Sequence, residues 1–392
     1  MTVNNRPQVT IASSQMSSLP STIEKIEVFG YPLTYAEGDY VMSGGRVVTV
    51  LESTVVRLST SDGLVGHGEV CPLGSNYLPA HAAGARAAIA EIAPHLLGAD
   101  AANPKAIALA MERALLGHPY AKSAIDLAVW DVLGQASGQP VCDLLGGRLH
   151  EDFPLYKAVS LASPEQMREQ MERFRAAGIH HFQLKLGGDP SEDAARARAI
   201  VEATEPGDIV LGDANCGWRL PEAIIAAQQM AELPRFFLEQ PCATLEECAR
   251  VRDHTGAPLI LDEVIVDLQS LLRAWELGAL IGFNLKLSRV GGLTPARLLR
   301  EVGEELGLMV NIEDAWGGDI AVAAVSHLAA STDPRALTMV SFINDWTEEH
   351  VLSDRPQAVD GRGRAPSEPG LGGGEVDEGL LGEPLASFEL AE

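Results

Sequence analysis

From about residue 153 onward, short apolar runs alternate with helix-patterned segments at a nearly constant interval. The apolar runs are FPLYKAV, HFQLKL, DIVLGD, RFFLEQ, PLILDE, GFNLKL, LMVNIE and LTMVSF. Between them lie stretches such as PEQMREQMERFRAAG and PARLLREVGEELG, whose apolar positions recur with helical spacing. Eight such units fit between about 153 and 343, roughly 24 residues each, enough for one strand, one helix and two loops. The pattern predicts an α/β chain folded as a (β/α)8-type barrel. An open, doubly wound sheet competes, but charged residues at five consecutive strand ends suit a closed mouth better.

Upstream the pattern differs. IEKIEVFGYPL, VVTVLESTVVRLST and GLVGHGEV read as a three-stranded meander. PAHAAGARAAIAEIAPHLLG, PKAIALAMERALLG and YAKSAIDLAVWDVLGQASG then read as helices. This predicts an N-terminal α+β capping domain over 23–150, preceded by a disordered leader over 1–22. The barrel is expected over 151–350. The Pro/Gly-rich tail over 351–392 is expected to return to the capping domain rather than form its own core.

Charge and composition narrow the function classes. With 54 acidic and 29 basic residues the net charge is −25, which opposes binding to nucleic acid or to anionic membrane. No apolar run approaches the ~18 residues of a membrane-spanning helix. The polar, Ser-rich start lacks the apolar segment of a signal peptide. Five scattered cysteines without a CxxC pair fit reduced thiols in a cytoplasmic protein.

Five of the apolar runs end in a charge: Lys185, Asp213, Glu239, Asp262 and Lys286, at intervals of 28, 26, 23 and 24 residues. At the C-terminal ends of successive parallel strands these side chains enter one mouth. Three converging carboxylates repel unless a cation joins them. Hard oxygen ligands without His or Cys favour Mg2+. A single barrel-mouth lysine serves equally as a counter-ion or a Schiff-base former. Two lysines flanking a metal reach both faces of one substrate carbon. Proton abstraction beside a carboxylate then gives an enediolate, with the cation stabilising the added charge and a lysine as base. Such a base needs a pKa of about 7–8.

These residues, with the motifs LGDAN, LEQPC, LILDE and NLKLSRVGG, resemble the enolase superfamily in its muconate-cycloisomerase branch, over about residues 24–385. Within the branch, GEVCPLGSNYLPA, GHPYAKSAIDLAVWD, HFQLKLGGD, LEQPCAT, LDEVI and IEDAWGGDI resemble the cis-3-hydroxy-L-proline dehydratases and the related proline-betaine and hydroxyproline-betaine 2-epimerases. The resemblance implies Lys185 and Lys286 as the acid/base pair and Asp213, Glu239 and Asp262 as Mg2+ ligands. One departure stands out: the branch's usual K-x-K reads Q-L-K here, with Gln183 in place of the first lysine. The seventh run, LMVNIEDAWGG, lacks the histidine of the mandelate-racemase branch, and His327 falls in a helix-patterned segment as a structural residue.

The implied substrate is a small amino acid bound by a homo-oligomeric enzyme. Capping-domain loops at 40–46 and 72–77 are expected to close over the mouth, with Ser75 and Tyr77 meeting the substrate ring. Glu263, Asp314 and Trp316 complete the expected substrate-binding set. One aromatic, Trp316, beside an acid favours a free amine over a betaine, which prefers an aromatic cage. Dehydration, 2-epimerisation and a catalytically silent metal-binding barrel all remain compatible with the five strand-end charges.

Overall fold

Glycines decide how the first domain packs. The structure, a computed structural model, describes residues 21–391; apart from Ser21 and Thr22, the leader expected over 1–22 lies outside the described residues. Strands Ile23–Thr34, Val50–Thr60 and Val65–Val70 form an antiparallel meander. Helix Pro119–Ser137 lies directly on the last of them. The approach is possible because Gly66 and Gly68 have no side chain: a Cβ at either would strike the carbonyl of Ala128 or Ala124. The tail supplies a fourth strand, Ala386–Glu389, antiparallel to Ile23–Thr34.

The barrel follows the sequence period. Its parallel strands are Tyr156–Val159, His181–Lys185, Ile209–Asp213, Phe236–Glu239, Leu259–Leu261, Gly282–Lys286, Met309–Glu313 and Leu337–Val340, hydrogen-bonded in that order. A parallel bridge from Leu155 to Val340 joins the first strand to the last. One face of the strands is apolar, with Phe182, Leu184, Phe283, Leu285, Val310 and Ile312 buried, whereas the alternate positions on the second, sixth and seventh strands are buried polar groups such as Gln183, Asn284 and Asn311. Several intervening helices start at side-chain caps, Ser163, Asp189, Thr244 and Asp267, each satisfying backbone N–H groups of a first turn.

Helix Asp319–Ala330 is buried along its whole length. Glu69 of the capping domain accepts from the N–H groups of Gly318, Ile320 and Ala321 at its start, where the helix dipole favours an anion. Burial pushes the Glu69 carboxyl up, against the hydrogen bonds from Ser53, Tyr31 and this helix end. Further along, His327 accepts from the Cys142 N–H at 3.1 Å through Nδ1 and lies 3.0 Å through Nε2 from the Leu371 carbonyl. These contacts tie cap, barrel and tail together above the loop 314–318. Among the described residues, no helix is long and apolar enough to cross a membrane.

Candidate active site

Strand register brings the five charges together. Lys185 lies beside Asp213, Asp213 beside Glu239, and Lys286 beside Glu313 on neighbouring strands. Asp262 follows directly after the fifth strand. Lys185, Asp213, Glu239, Asp262 and Lys286 are all buried. Lys185 and Lys286 end the second and sixth of eight strands, on opposed sides of the mouth.

Each lysine is paired. Lys185 Nζ lies 2.5 Å from Asp213, and Lys286 Nζ lies 2.9 Å from Asp262 and 3.3 Å from Glu313. Burial alone would lower the pKa of both ammonium groups. Asp213, with Tyr40 and Glu239, outweighs it at Lys185, and Asp262 with Glu313 outweighs it at Lys286. These carboxylate partners favour the ammonium form of both lysines. The guanidinium of Arg289 reaches the other oxygen of Asp262. Despite burial, Arg289 and Lys286 hold the Asp262 carboxyl well below its usual range.

Glu239 is in the opposite position. Burial, then Asp213, Asp262 and Glu313, push its carboxyl well above its usual range. Its neighbours stabilise one orientation without neutralising it: Gln183 Nε2 donates at 2.9 Å to one oxygen and Asn284 Nδ2 at 2.6 Å to the other. A divalent cation would remove the conflict among these like charges. Oxygen atoms of Glu239, Asp262 and Glu313 lie within 4.8 Å of one another. The donor set, all hard oxygen, therefore fits a metal ion. Glu239 and Asp262 are shared by this closest group and by the strand-end trio. Asp213 instead faces Lys185, and Glu313 completes the closest group.

Glu313 was not among the residues singled out from the sequence. Its signal was present, since LMVNIE ends in a charge 27 residues after Lys286. Arg289, inside the NLKLSRVGG motif, was passed over as well. Asn215 and Gln240, both at positive φ just after the third and fourth strands, hold their neighbours: Asn215 N–H donates to Asp213 at 2.8 Å, and Gln240 Oε1 accepts from Asp262 N–H at 2.8 Å.

The expected substrate-binding residues divide. Tyr77 reaches the site, its hydroxyl donating to Glu263 at 2.7 Å, and Asn215 Nδ2 donates to the same carboxylate. Burial and the Asp262 and Asp213 charges push Glu263 up to about 7. Ser75 is exposed and does not line the cavity. Asp314 lines it, but its oxygens accept from Ser288 N–H, Ser288 Oγ and Ala315 N–H. Trp316 also lines it, in company. Tyr40, Tyr77, Tyr156 and Trp346 share the wall, with Trp316 and Trp346 centroids 6.1 Å apart. The single aromatic expected from the sequence is thus a cluster. The cavity itself is tight, about 30 Å³ of free space. A larger cavity, about 510 Å³, lies between cap, tail and helix Asp319–Ala330, away from every strand-end charge.

Comparison with known proteins agrees with this architecture. Residues 166–379 match the Enolase C-terminal domain-like family, and residues 40–146 match the mandelate racemase/muconate lactonizing enzyme N-terminal domain. The chain is 42% identical over 366 residues to a cis-3-hydroxy-L-proline dehydratase from Roseibium aggregatum, covering 93% of this chain and 99% of that one. A mandelate racemase/muconate lactonizing enzyme from Roseovarius nubinhibens superposes with a TM-score of 0.91 at 38% identity, covering 95% and 99% of the two chains. An enolase-superfamily member from the same organism, complexed with magnesium, superposes at 0.89 with 36% identity, covering 94% and 100%. The chain belongs to the mandelate racemase/muconate lactonizing enzyme family of the enolase superfamily.

Proposed function

We propose that the protein is a Mg2+-dependent dehydratase of cis-3-hydroxy-L-proline, giving the enamine that tautomerises to Δ1-pyrroline-2-carboxylate. Asp213, Glu239 and Asp262 hold the metal, and Lys185 and Lys286 form the acid/base pair. The observation that carries this reading is the placement of two buried lysines at opposed strand ends, lining one cavity beside a cluster of buried carboxylates. The activity named for the Roseibium relative supports the choice of substrate. Five free thiols support a reducing, cytoplasmic setting.

The stereochemistry of the substrate fits this placement. In cis-3-hydroxy-L-proline the hydroxyl is cis to the carboxylate and so trans to the α-hydrogen. Elimination needs a base on one ring face and an acid on the other. One lysine, as the neutral amine, takes the α-proton. The other, as ammonium, delivers a proton to the hydroxyl as the C3–O bond breaks, and water leaves. Mg2+ held by Asp213, Glu239 and Asp262 would supply positive charge for the charge that develops on the substrate carboxylate and would draw Asp213 and Asp262 away from the lysines. Each lysine would then lose its closest carboxylate partner, leaving Glu239 near Lys185 and Glu313 near Lys286, while desolvation would continue to favour the neutral amine.

The aromatic cluster favours a second reading, a 2-epimerase of proline or hydroxyproline betaine, because a quaternary ammonium is attracted to ring faces. Proton NMR of the protein with Mg2+ in D2O separates the two. Loss of the C3 hydroxyl signal environment of cis-3-hydroxy-L-proline, with a new imine, is the expected result. Deuterium at C2 of a betaine without elimination would replace the first reading by the second. No exchange into any proline-type compound would refute both.

A further inference from the structure

We propose that Glu313, at the end of the seventh barrel strand, accepts the N–H of the substrate's ring nitrogen and thereby selects a free secondary amine over an N-methylated one. The inference rests on the proline-type reading above and adds a residue to it.

The first argument is location. Of the carboxylates in the mouth, Glu313 and Asp314 line the cavity, whereas Asp213, Glu239 and Asp262 do not. Strand register pairs Glu313 with Lys286 on the neighbouring strand, so the two side chains share a face, whereas Asp314 follows the end of the strand. Asp314 is turned to the Ser288 loop, where backbone and hydroxyl donors occupy both of its oxygens.

The second argument is capacity. An ionised carboxylate offers about four lone-pair positions. On Glu313 three are used: Asn284 Nδ2 donates at 3.0 Å, Lys286 Nζ lies 3.3 Å away, and the Tyr156 hydroxyl donates to the other oxygen. One acceptor position remains, on a buried side chain in the cavity wall. Lys286 stands between Glu313 and Asp262, and Asn284 bridges Glu313 to Glu239. These donors hold Glu313 beside Glu239 and Asp262, with oxygens of all three within 4.8 Å of one another, so Mg2+ affinity is measured alongside ligand affinity.

The third argument is covalent geometry. The ring nitrogen is bonded to the α-carbon, so a group that receives its N–H must stand next to a lysine that reaches that carbon. Glu313 stands beside Lys286. Tyr156 and Trp346 flank it on the cavity wall, their ring centroids 6.2 Å apart, and aromatic faces accept the remaining positive charge.

Titration calorimetry with Mg2+ present tests this with two non-reacting ligands, L-proline and tetrahydro-2-furoate, in which oxygen replaces the ring NH2+. The wild type is expected to prefer proline. Glu313→Gln is expected to reduce that preference about tenfold or more, the worth of a hydrogen bond to a charged group, with tetrahydro-2-furoate and Mg2+ affinities unchanged. Glu313→Asp, which keeps the charge, is expected to retain part of the preference. If the wild type turns over cis-3-hydroxy-L-proline, an equal loss for both ligands, or no loss for either, in Glu313→Gln overturns the Glu313 assignment alone. A tenfold loss of Mg2+ affinity in Glu313→Gln overturns it too, by making Glu313 a metal ligand. A wild type that binds neither ligand overturns it together with the proline-type reading.

Discussion

Replacing Gln183 by leucine removes one of two amide donors from Glu239 and keeps the side-chain volume close to native. In the structure Glu239 is fully buried, with Gln183 on one oxygen at 2.9 Å and Asn284 on the other at 2.6 Å. Without Gln183 the carboxylate loses the contact that fixes its rotation, and one oxygen is left with a donor fewer. A hydrogen bond to a charged group contributes about 1.5–3 kcal/mol. Loss of a hydrogen-bond partner behind a metal ligand typically weakens metal binding by about 10–100-fold, or roughly 1.4–2.7 kcal/mol. The two estimates agree, so Gln183→Leu is expected to bind Mg2+ about 10–100-fold more weakly. Calorimetric titration of the metal-free protein, with no substrate present, reads this directly. Wild-type Mg2+ affinity in a folded Gln183→Leu protein would show that Gln183 does not orient a metal ligand.

Two further predictions concern the joint between cap and barrel. Burial pushes His327 down to about 4, from an ordinary value of 6.5, and its ring is held between Cys142 and Leu371. Between those values the unfolded chain binds a proton that the folded one excludes, so stability falls as pH drops from about 6.5 to 4, by up to about 3 kcal/mol. His327→Gln, which can accept and donate at the same points, is expected to flatten that acid limb in denaturant melts; an unchanged slope would contradict the assignment. Gly318→Ala places a methyl against Tyr31 Oη and 2.6 Å from Glu69 Oε1, both buried. Overpacking there is expected to cost about 2 kcal/mol or more, seen as a lower urea midpoint. A midpoint equal to wild type would mean that the Glu69 clasp on helix Asp319–Ala330 yields freely.

How much of this was legible in the sequence follows from what a one-dimensional pattern can carry. The barrel was legible because each strand is a short apolar run at a fixed interval, and five runs end in a charge. Glu313 obeys the same rule, ending the seventh run as the other charges end theirs. The aromatic cluster was not legible. Tyr40 comes from a cap loop, Tyr156 from the first barrel strand and Trp346 from beyond the eighth, and no spacing relates them. Ser75 was placed near the substrate because its loop borders the mouth, but within that loop Leu73 and Tyr77 turn inward and Ser75 turns to solvent. The fourth cap strand, Ala386–Glu389, is short and half-exposed, too weak a signal to stand out from the tail.

The division of labour between the two lysines is tested most directly by Lys185→Ala and Lys286→Ala, each incubated with Mg2+ and cis-3-hydroxy-L-proline in D2O and followed by proton NMR. Wild type should eliminate water. One variant should exchange the α-hydrogen for deuterium while eliminating far more slowly, because the base survives and the acid is gone. The other should do neither, because the base itself is missing. Normal dehydration by both variants would contradict the assignment of proton transfer to Lys185 and Lys286.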